Sequence, residues 1–185
     1  MPNHPHERLQ KKSKALSMTI IRQATQADAE QYRELRLRAL KKHPEAFGSD
    51  YTETLARPLE GWHAMLRPIP GKATFVAERG SELGGMSVIV AEEGAKVAHS
   101  AHIYSVYVCP EWRGQALGQR LIQSCLDWAR QHSILQVKLS VTVTNVAAIA
   151  LYLKCGFQVY GVDPKVIFTG GKYYDELLMV VSPKH

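Results

Sequence analysis

The sequence predicts one mixed α/β domain, and three observations lead to this prediction. A chain of 185 residues, 45% of them hydrophobic, is long and apolar enough to build one globular core. Its apolar periodicities give the element order β-α-α-β-β-β-α-β-α-β-β. This order lacks the regular strand–helix alternation of a doubly wound dinucleotide-binding fold. Residues 1–17 are polar and basic, so we expect a disordered extension there and a single domain over 18–185.

Local signals place the elements of the N-terminal half. A strand is predicted over 19–22, followed by a helix that is capped at Thr25 and ends near Pro44, because a residue before proline disfavours helical backbone. A weaker helical pattern covers 52–66. Strands over 73–78 and 83–91 flank Gly80, which indicates a hairpin.

The C-terminal half is richer in strands. Pro110 ends a long β-rich segment, Gly156 ends a short helix as a C′ residue, and Gly170-Gly171 indicates a hairpin. The predicted strands are 97–109, 134–143, 157–162, 166–168 and 174–181, and the predicted helices are 116–132 and 146–154.

Composition narrows the classes of function. The net charge is +6, but half of the excess lies in the first 17 residues, so nucleic-acid binding is not expected. No apolar run approaches the roughly 20 residues that span a bilayer, which predicts a cytoplasmic protein without membrane association. The three cysteines form no CxxC pair, so neither a disulfide framework nor a metal site is expected.

The segment 106–118, VYVCPEWRGQALG, joins a strand to a helix through a glycine-bearing turn. Because Pro110 cannot donate a hydrogen bond, we expect strand pairing to fail there and to leave an open edge. The turn would then present successive backbone N–H groups to a phosphate at a helix N-terminus, from Arg113, Gly114, Gln115, Ala116, Leu117 and Gly118. A plain strand–turn–helix connection is the alternative interpretation.

A second pattern follows at Asn145 and Tyr152. Seven residues make about two helical turns, so both side chains leave the same helix face. Asn145 suits an N-cap, a role compatible with ligand binding. Tyr152 is either packed on the sheet or directed into a cleft as a proton donor, where a phenol can protonate a leaving thiolate.

Together these segments resemble the GNAT superfamily of N-acetyltransferases. The segment VYVCPEWRGQALGQRLI is similar to its acetyl-CoA-binding motif, and LSVTVTNVAAIALYLKCGF to its next motif. The likeness runs from about residue 18 to 181. It implies a central mixed, mostly antiparallel sheet of about seven strands flanked by about four helices, splayed at the strand that ends at Pro110.

The resemblance also implies roles for individual residues. Val106 and Val108 would pair with the pantetheine arm, the Val108 amide would polarise the thioester carbonyl, and Tyr152 would return a proton to the CoA sulfur as general acid. The expected cofactor contacts are Val106, Tyr107, Val108, Arg113, Gly114, Gln115, Ala116, Leu117, Gly118, Gln119, Asn145, Ala148 and Tyr152. An amine would attack the thioester directly in a ternary complex, so no cysteine nucleophile is needed.

Two residues depart from the family pattern. Ala116 stands where the glycine turn commonly has glycine, and we expect a helical alanine that still offers its N–H. Ser140 stands where some protein-directed members carry a glutamate base, five residues before the asparagine. The base therefore stays open among His102, Tyr104, Tyr107, Glu111 acting through water, and a water chain to solvent.

The acceptor is the least defined part of the prediction. The loop 47–51 resembles the segment that lines the acceptor cleft, with Asp50 and Glu53 either attracting a cationic amine or forming a solvated acidic face. Tyr173, Tyr174 and Asp175 are further candidates at the border of that cleft. We expect an N-acetyltransferase that acts on a primary amine of a small molecule or peptide, as a monomer or homodimer. The alternative is a non-catalytic acyl-CoA-binding module of the same fold.

Overall fold

Seven strands form one mixed sheet in the computed structural model, which describes residues 18–183. The strand order across the sheet is β1-β2-β3-β4-β5-β7-β6, and every neighbouring pair is antiparallel except the parallel pair β4–β5. The strands are β1 Ile20–Gln23, β2 Lys72–Arg79, β3 Glu82–Ala91, β4 Ser100–Val108, β5 Gln136–Thr142, β6 Gln158–Thr169 and β7 Lys172–Val181. The predicted fold class is confirmed, whereas the predicted extension over 1–17 lies outside the described residues.

Five α-helices cover the two faces of the sheet, one more than the predicted four. They are α1 Ala29–Lys42, α2 Tyr51–Leu55, α3 Leu59–Met65, α4 Leu117–Gln131 and α5 Val146–Lys154. None of these helices is long and apolar enough to cross a membrane, a finding that applies to the described residues alone.

Each face of the sheet has its own apolar core. On one face, α4 and α5 bury side chains such as Ile122, Cys125 and Phe157 against the sheet. On the other face, α1 and α3 bury Tyr32 and Trp62. Burial of a side chain of this size contributes about 1.5–3 kcal/mol, so the two cores hold the helices that border the cleft described below.

Two predicted elements differ in the structure. The helix expected over 52–66 is split into α2 and α3, because Pro58 stands at the N-cap of α3 in extended conformation and cannot continue a preceding helix. The strands expected over 157–162 and 166–168 are one strand, β6, whose register shifts between Asp163 and Ile167. Pro164 is tolerated there because β6 is an edge strand, and Lys165, at φ 57°, donates its N–H to Asp175.

The sheet opens between its two parallel strands. β4 pairs with β5 only from Ser100 to His102, after which the two strands diverge. The opening therefore begins well before Pro110, and β4 stays paired with β3 to its end, as the hydrogen bond of 2.8 Å from the Cys109 N–H to the Gly84 carbonyl shows. The separation from β5 therefore begins earlier than expected, whereas pairing with β3 does end beside the proline, and the splayed strand is the predicted one.

Candidate functional site

A cleft of about 1030 Å³ occupies the opening between β4 and β5. The N-terminal ends of α4 and α5 border it, and the segment 43–49 after α1 closes its other end. Of the predicted cofactor contacts, twelve line this cleft: Val106, Tyr107, Val108, Arg113, Gly114, Ala116, Leu117, Gly118, Gln119, Asn145, Ala148 and Tyr152. Gln115 does not line it, because its side-chain oxygen accepts a hydrogen bond of 2.9 Å from Arg79 on the outer surface.

A β-bulge sets the direction of the β4 backbone at the opening. Ser105 has φ 57°, and the register with β3 shifts so that two residues of β4 oppose Ser87. Beyond the bulge, Cys109 hydrogen-bonds to β3, so by alternation the N–H of Val108 points toward the open side. The Val108 carbonyl is already bound by the Arg113 guanidinium at 3.2 Å, which leaves the amide as the free group.

The turn before α4 presents unpaired amides to the cleft. The first intrahelical hydrogen bond runs from the Arg120 N–H to the Ala116 carbonyl, so the amides of 117–119 have no partner in the helix. The backbone amide of Arg113 was predicted to face a phosphate, but it donates to the Pro110 carbonyl at 3.2 Å. The series of free donors therefore begins at Gly114, and the helix dipole adds attraction for an anion.

Ala116 is not helical as expected. It is the N-cap of α4 in the left-handed conformation, with φ 53° and ψ 22°. This backbone conformation favours glycine, which explains why glycine is common at that position of the resembling motif. Gly114, with φ 81°, needs glycine for the same reason, whereas Gly118 lies in α4 where a Cβ atom would meet Leu151 at 2.9 Å.

At the start of α5, the predicted cap is present. The side-chain oxygen of Asn145 accepts a hydrogen bond of 3.2 Å from the Ala148 N–H. Both residues line the cleft, and the Asn145 amide nitrogen forms no hydrogen bond with a described residue. Asn145 therefore caps α5 and keeps a donor for a ligand.

Tyr152 is both packed and directed at the cleft. It is 6% exposed, its ring packs near Phe157, and it lines the cleft. Burial raises the pKa of the Tyr152 hydroxyl well above its ordinary value, with the thiols of Cys155 and Cys125 as smaller influences. The hydroxyl therefore stays protonated, and among the described residues it has no hydrogen-bond partner. It can donate to a ligand atom.

The structure distinguishes among the residues that the sequence left open as candidates for the general base. Glu111 lies outside the cleft and pairs with Arg38, which lowers the pKa of its carboxyl to about 2. His102 lines the cleft, but its Nε2 lies 2.8 Å from a Glu92 carboxylate oxygen. Tyr104 and Tyr107 also line the cleft, and burial raises the pKa of both, which makes each a weak acid rather than an available base.

A carboxylate that sequence reasoning missed lies at the same place. Glu176 on β7 pairs in register with Thr142 of β5 and lines the cleft. Burial, the largest influence, raises the pKa of its carboxyl above the ordinary value, the Ser140 side chain lowers it, and the nearby Asp163 raises it. Ser140 stands where some protein-directed members of the resembling family carry a glutamate, and β7 supplies a carboxylate beside it. No local signal indicates this, because the contact depends on strand order.

The far end of the cleft is lined by α1 and by the segment that follows this helix. The lining residues there are Arg36 of α1 and, beyond the helix, His43, Glu45, Phe47 and Ser49. The predicted acceptor residues Asp50 and Glu53 do not line the cleft, since Asp50 caps α2 by accepting the Glu53 N–H at 2.9 Å. Tyr173, Tyr174 and Asp175 are likewise absent from the lining.

None of the three cysteines has the properties of a nucleophile. Cys125 is fully buried, and burial raises the pKa of its thiol to about 12. Burial also raises the pKa values of the Cys109 and Cys155 thiols. A reactive cysteine requires a lowered pKa, so covalent catalysis by a cysteine has no support here.

Relatives of known sequence match most of this chain. L-amino acid N-acetyltransferase AaaT of Escherichia coli K12 is 28% identical over 171 residues, which cover 89% of this chain and 98% of that protein. The mycothiol acetyltransferase of Thermobispora bispora is 33% identical over 139 residues, which cover 74% of this chain but only 45% of that larger protein.

Solved structures share the fold. A GNAT-family acetyltransferase of Streptococcus pneumoniae superposes with a TM-score of 0.80 at 22% identity, covering 90% of this chain and all of that one. A Salmonella typhimurium protein solved with its cofactor acetyl-CoA also gives 0.80, at 24% identity, with 91% and 96% covered. A sequence model described as the acetyltransferase (GNAT) family matches residues 30–157. The chain therefore belongs to the GNAT family of acyltransferases, whose acyl donor is acetyl-CoA.

Proposed function

We propose that this protein transfers the acetyl group of acetyl-CoA to a primary amine by direct attack in a ternary complex. One observation carries the proposal: a single cleft joins the free amides at the start of α4, the free amide of Val108 and the unpartnered hydroxyl of Tyr152. These are the three kinds of group that pyrophosphate binding, carbonyl polarisation and thiolate protonation require.

The donor side of the cleft fits a pyrophosphate-bearing thioester. The amides of 114–119 would hold the pyrophosphate, and those of Val106 and Val108 would pair with the pantetheine arm. Asn145 would contribute the side-chain amide that its capping role leaves free. Acetyl-CoA supplies the activated acetyl group when bound. The Val108 N–H would donate to the carbonyl oxygen as negative charge develops there.

Glu176 is the general base in this proposal. The lone pair of the neutral amine nitrogen attacks the acetyl carbon, and Glu176 accepts the proton that this nitrogen gives up as the amide bond forms. Its raised pKa suits the task, because a base is most effective when its pKa lies near the working pH. The Ser140 hydroxyl of β5 interacts with this carboxylate. The proposed base of this chain therefore lies on β7, and β5 supplies a neighbouring hydroxyl.

Tyr152 completes the proton balance. As the carbon–sulfur bond breaks, its electron pair passes to sulfur, and the Tyr152 hydroxyl donates a proton to the thiolate. Burial keeps the phenol protonated before the reaction. Because a thiolate is a weaker base than the phenolate, the transfer depends on a preorganised position of the hydroxyl beside the sulfur. The products are an N-acetylated amine and free CoA, and solvent restores the proton of Tyr152.

The relatives support an amine acceptor but differ in its kind. AaaT is an L-amino acid N-acetyltransferase by name, and a Bacillus subtilis relative, 33% identical over 46% of this chain, is named for the alanine of a ribosomal protein. The alternative function is a sensor that binds acyl-CoA without turnover. The unpartnered Tyr152 hydroxyl favours the enzyme, because binding alone needs no acid at the sulfur.

The deciding experiment is release of free thiol from acetyl-CoA in the presence of a broad amine panel. We expect release that depends on the amine and on the protein. If CoA raised the melting temperature of the protein while no amine produced thiol above background, the enzyme proposal would be abandoned and the sensor retained.

The role of Glu176 is tested by a pH profile. We expect Glu176→Gln to lower kcat/KM about 100-fold and to remove the acidic limb that this carboxyl contributes. Glu111→Gln is the matched control, because Glu111 lies outside the cleft and should leave the profile in place. An unchanged acidic limb in Glu176→Gln, with normal folding, would refute the assignment.

A further inference from the structure

The acceptor end of the cleft contains a cation without a counter-ion. Arg36 of α1 forms no ion pair with any carboxylate among residues 18–183, and its nitrogen Nη1 is buried without a hydrogen-bond partner. Its other terminal nitrogen, Nη2, donates to the Ser49 hydroxyl at 3.1 Å. Arg36 as a whole is only partly buried, but a buried donor without a partner is costly, so an anion placed at Nη1 would remove that cost.

The groups around Arg36 contact its guanidinium but do not balance the positive charge. Its central carbon lies 4.8 Å from the centre of the Phe47 ring, a cation–π contact. Burial lowers the pKa of Arg36, Tyr32 raises it, and the second cation Arg57 lowers it. Burial therefore acts most strongly against the cation, and among residues 18–183 no carboxylate forms an ion pair with it.

Carboxylates as well as cations line the rest of the cleft. Glu45 and Glu176 line the same cavity as Arg36, together with the cations Arg113 and Lys154, and the proposed function uses Glu176 to accept the amine proton. His43, which also lines the cavity, lies 3.7 Å from Glu45 through its Nδ1. The cleft thus offers carboxylates for an ammonium group and a planar guanidinium for an anion. This charge pattern is complementary to a zwitterion.

We propose that Arg36 binds the carboxylate of the acceptor, and that the acceptors are free α-amino acids rather than peptide N-termini. The acceptor carboxylate replaces the Ser49 hydroxyl at Nη2 and accepts from Nη1, in the paired geometry that guanidinium and carboxylate groups share. A peptide N-terminus carries an amide where the free amino acid carries this carboxylate, so it leaves Arg36 unpaired. This inference rests on the proposed function and names its substrate class.

The test removes the acceptor carboxylate and the Arg36 guanidinium separately. The common L-amino acids and their α-carboxamides are compared as acceptors by thiol release, with wild-type protein, Arg36→Gln and Arg36→Lys. We expect wild type to prefer the best amino acid over its carboxamide by roughly 10- to 100-fold, the usual effect of a charge-assisted pair. Arg36→Gln should lose that preference, measured as the ratio of the two rates within each protein, and Arg36→Lys should restore only part of it.

A binding measurement separates recognition from turnover. Calorimetric titration of the best amino acid into the CoA-loaded protein should show binding to wild type and weakened binding to Arg36→Gln. The matched control is Arg33→Gln on the same helix, because the Arg33 side chain hydrogen-bonds to the Leu55 carbonyl and lies outside the cleft. Its preference and binding should equal those of wild type.

The outcomes distinguish this inference from the proposed function. Efficient acetylation of carboxamides or peptides by wild type, or a preference that survives in Arg36→Gln, overturns the carboxylate site and leaves the N-acetyltransferase in place. Absence of thiol release with every amine overturns both. A lower melting temperature of Arg36→Gln with an unchanged preference would mean that Arg36 acts only in folding.

Discussion

Substitution of Ala116 by glycine should stabilise the protein, although glycine usually destabilises. Ala116 has φ 53° and ψ 22°, in the left-handed region that costs a residue with a Cβ atom about 1–2 kcal/mol. The side chain is exposed, so removal of its methyl group leaves no cavity. Glycine adds freedom to the unfolded chain, which offsets about 0.4–1 kcal/mol. The difference predicts a gain of about 0.5–1 kcal/mol in the free energy of unfolding.

The assay is denaturant unfolding of the ligand-free protein, supported by thermal melting. For a chain of this length, about 1 kcal/mol corresponds to a shift of about 2–4 °C in Tm. Ala150→Gly is the matched control, because Ala150 is also exposed but lies inside the right-handed helix α5. There the same chemical change should lower the free energy of unfolding by about 0.5–1 kcal/mol.

Opposite signs for the two variants are the expected result. The reasoning is refuted if Ala116→Gly loses as much stability as Ala150→Gly, because the two sites differ mainly in backbone conformation. A change in the denaturant dependence of the unfolding free energy would instead indicate an altered unfolded state, so that slope is compared between variants.

Three further predictions follow from the geometry. Tyr152→Phe should lower kcat by about 100-fold with CoA affinity nearly unchanged, and a large loss of affinity by calorimetry would mean that the tyrosine is structural. Gly118→Val should weaken CoA binding at least about tenfold, because the side chain enters the cleft lining beside Leu151; equal binding would contradict the phosphate assignment. Asp28 pairs with Arg22, which lowers the pKa of the Asp28 carboxyl to about 2. The stabilisation of the fold by this ion pair is therefore present above pH 4 and is lost as the pH falls toward 2. Asp28→Asn should flatten that pH dependence of stability in acid unfolding curves.

Most of the donor side follows from local sequence. Helix α5 has the predicted bounds, because an asparagine cap and a glycine at positive φ are local signals that fix its two ends. The turn before α4 is also encoded locally, since Gly114 supplies a backbone conformation that few residues adopt. The conformation of Ala116 was the exception, because nothing in its own side chain requires the left-handed region.

The proposed base and the residues at the acceptor end of the cleft could not be predicted from local sequence. Glu176 lies near Ser140 only because β7 stands between β5 and β6, and strand order is a property of the whole sheet. Glu111 was a reasonable candidate by position in the chain, but an ion pair with Arg38 of α1 removes it. Asp50 was one candidate to attract a cationic amine, with a solvated acidic face as the alternative, and its carboxylate is used as a helix cap.

By itself the sequence indicated the family, the glycine-bearing turn before α4 and the position of Asn145 and Tyr152 on one helix face, because each of these depends on neighbours within a few residues. Only the tertiary structure decided where the sheet opens, which carboxylate enters the cleft, and that Arg36 lies there without a counter-ion among the described residues. Those properties depend on contacts between residues that are far apart in the chain, such as Arg36 with Ser49 and Ser140 with Glu176. They arise from the packing of the whole domain, which no local pattern encodes.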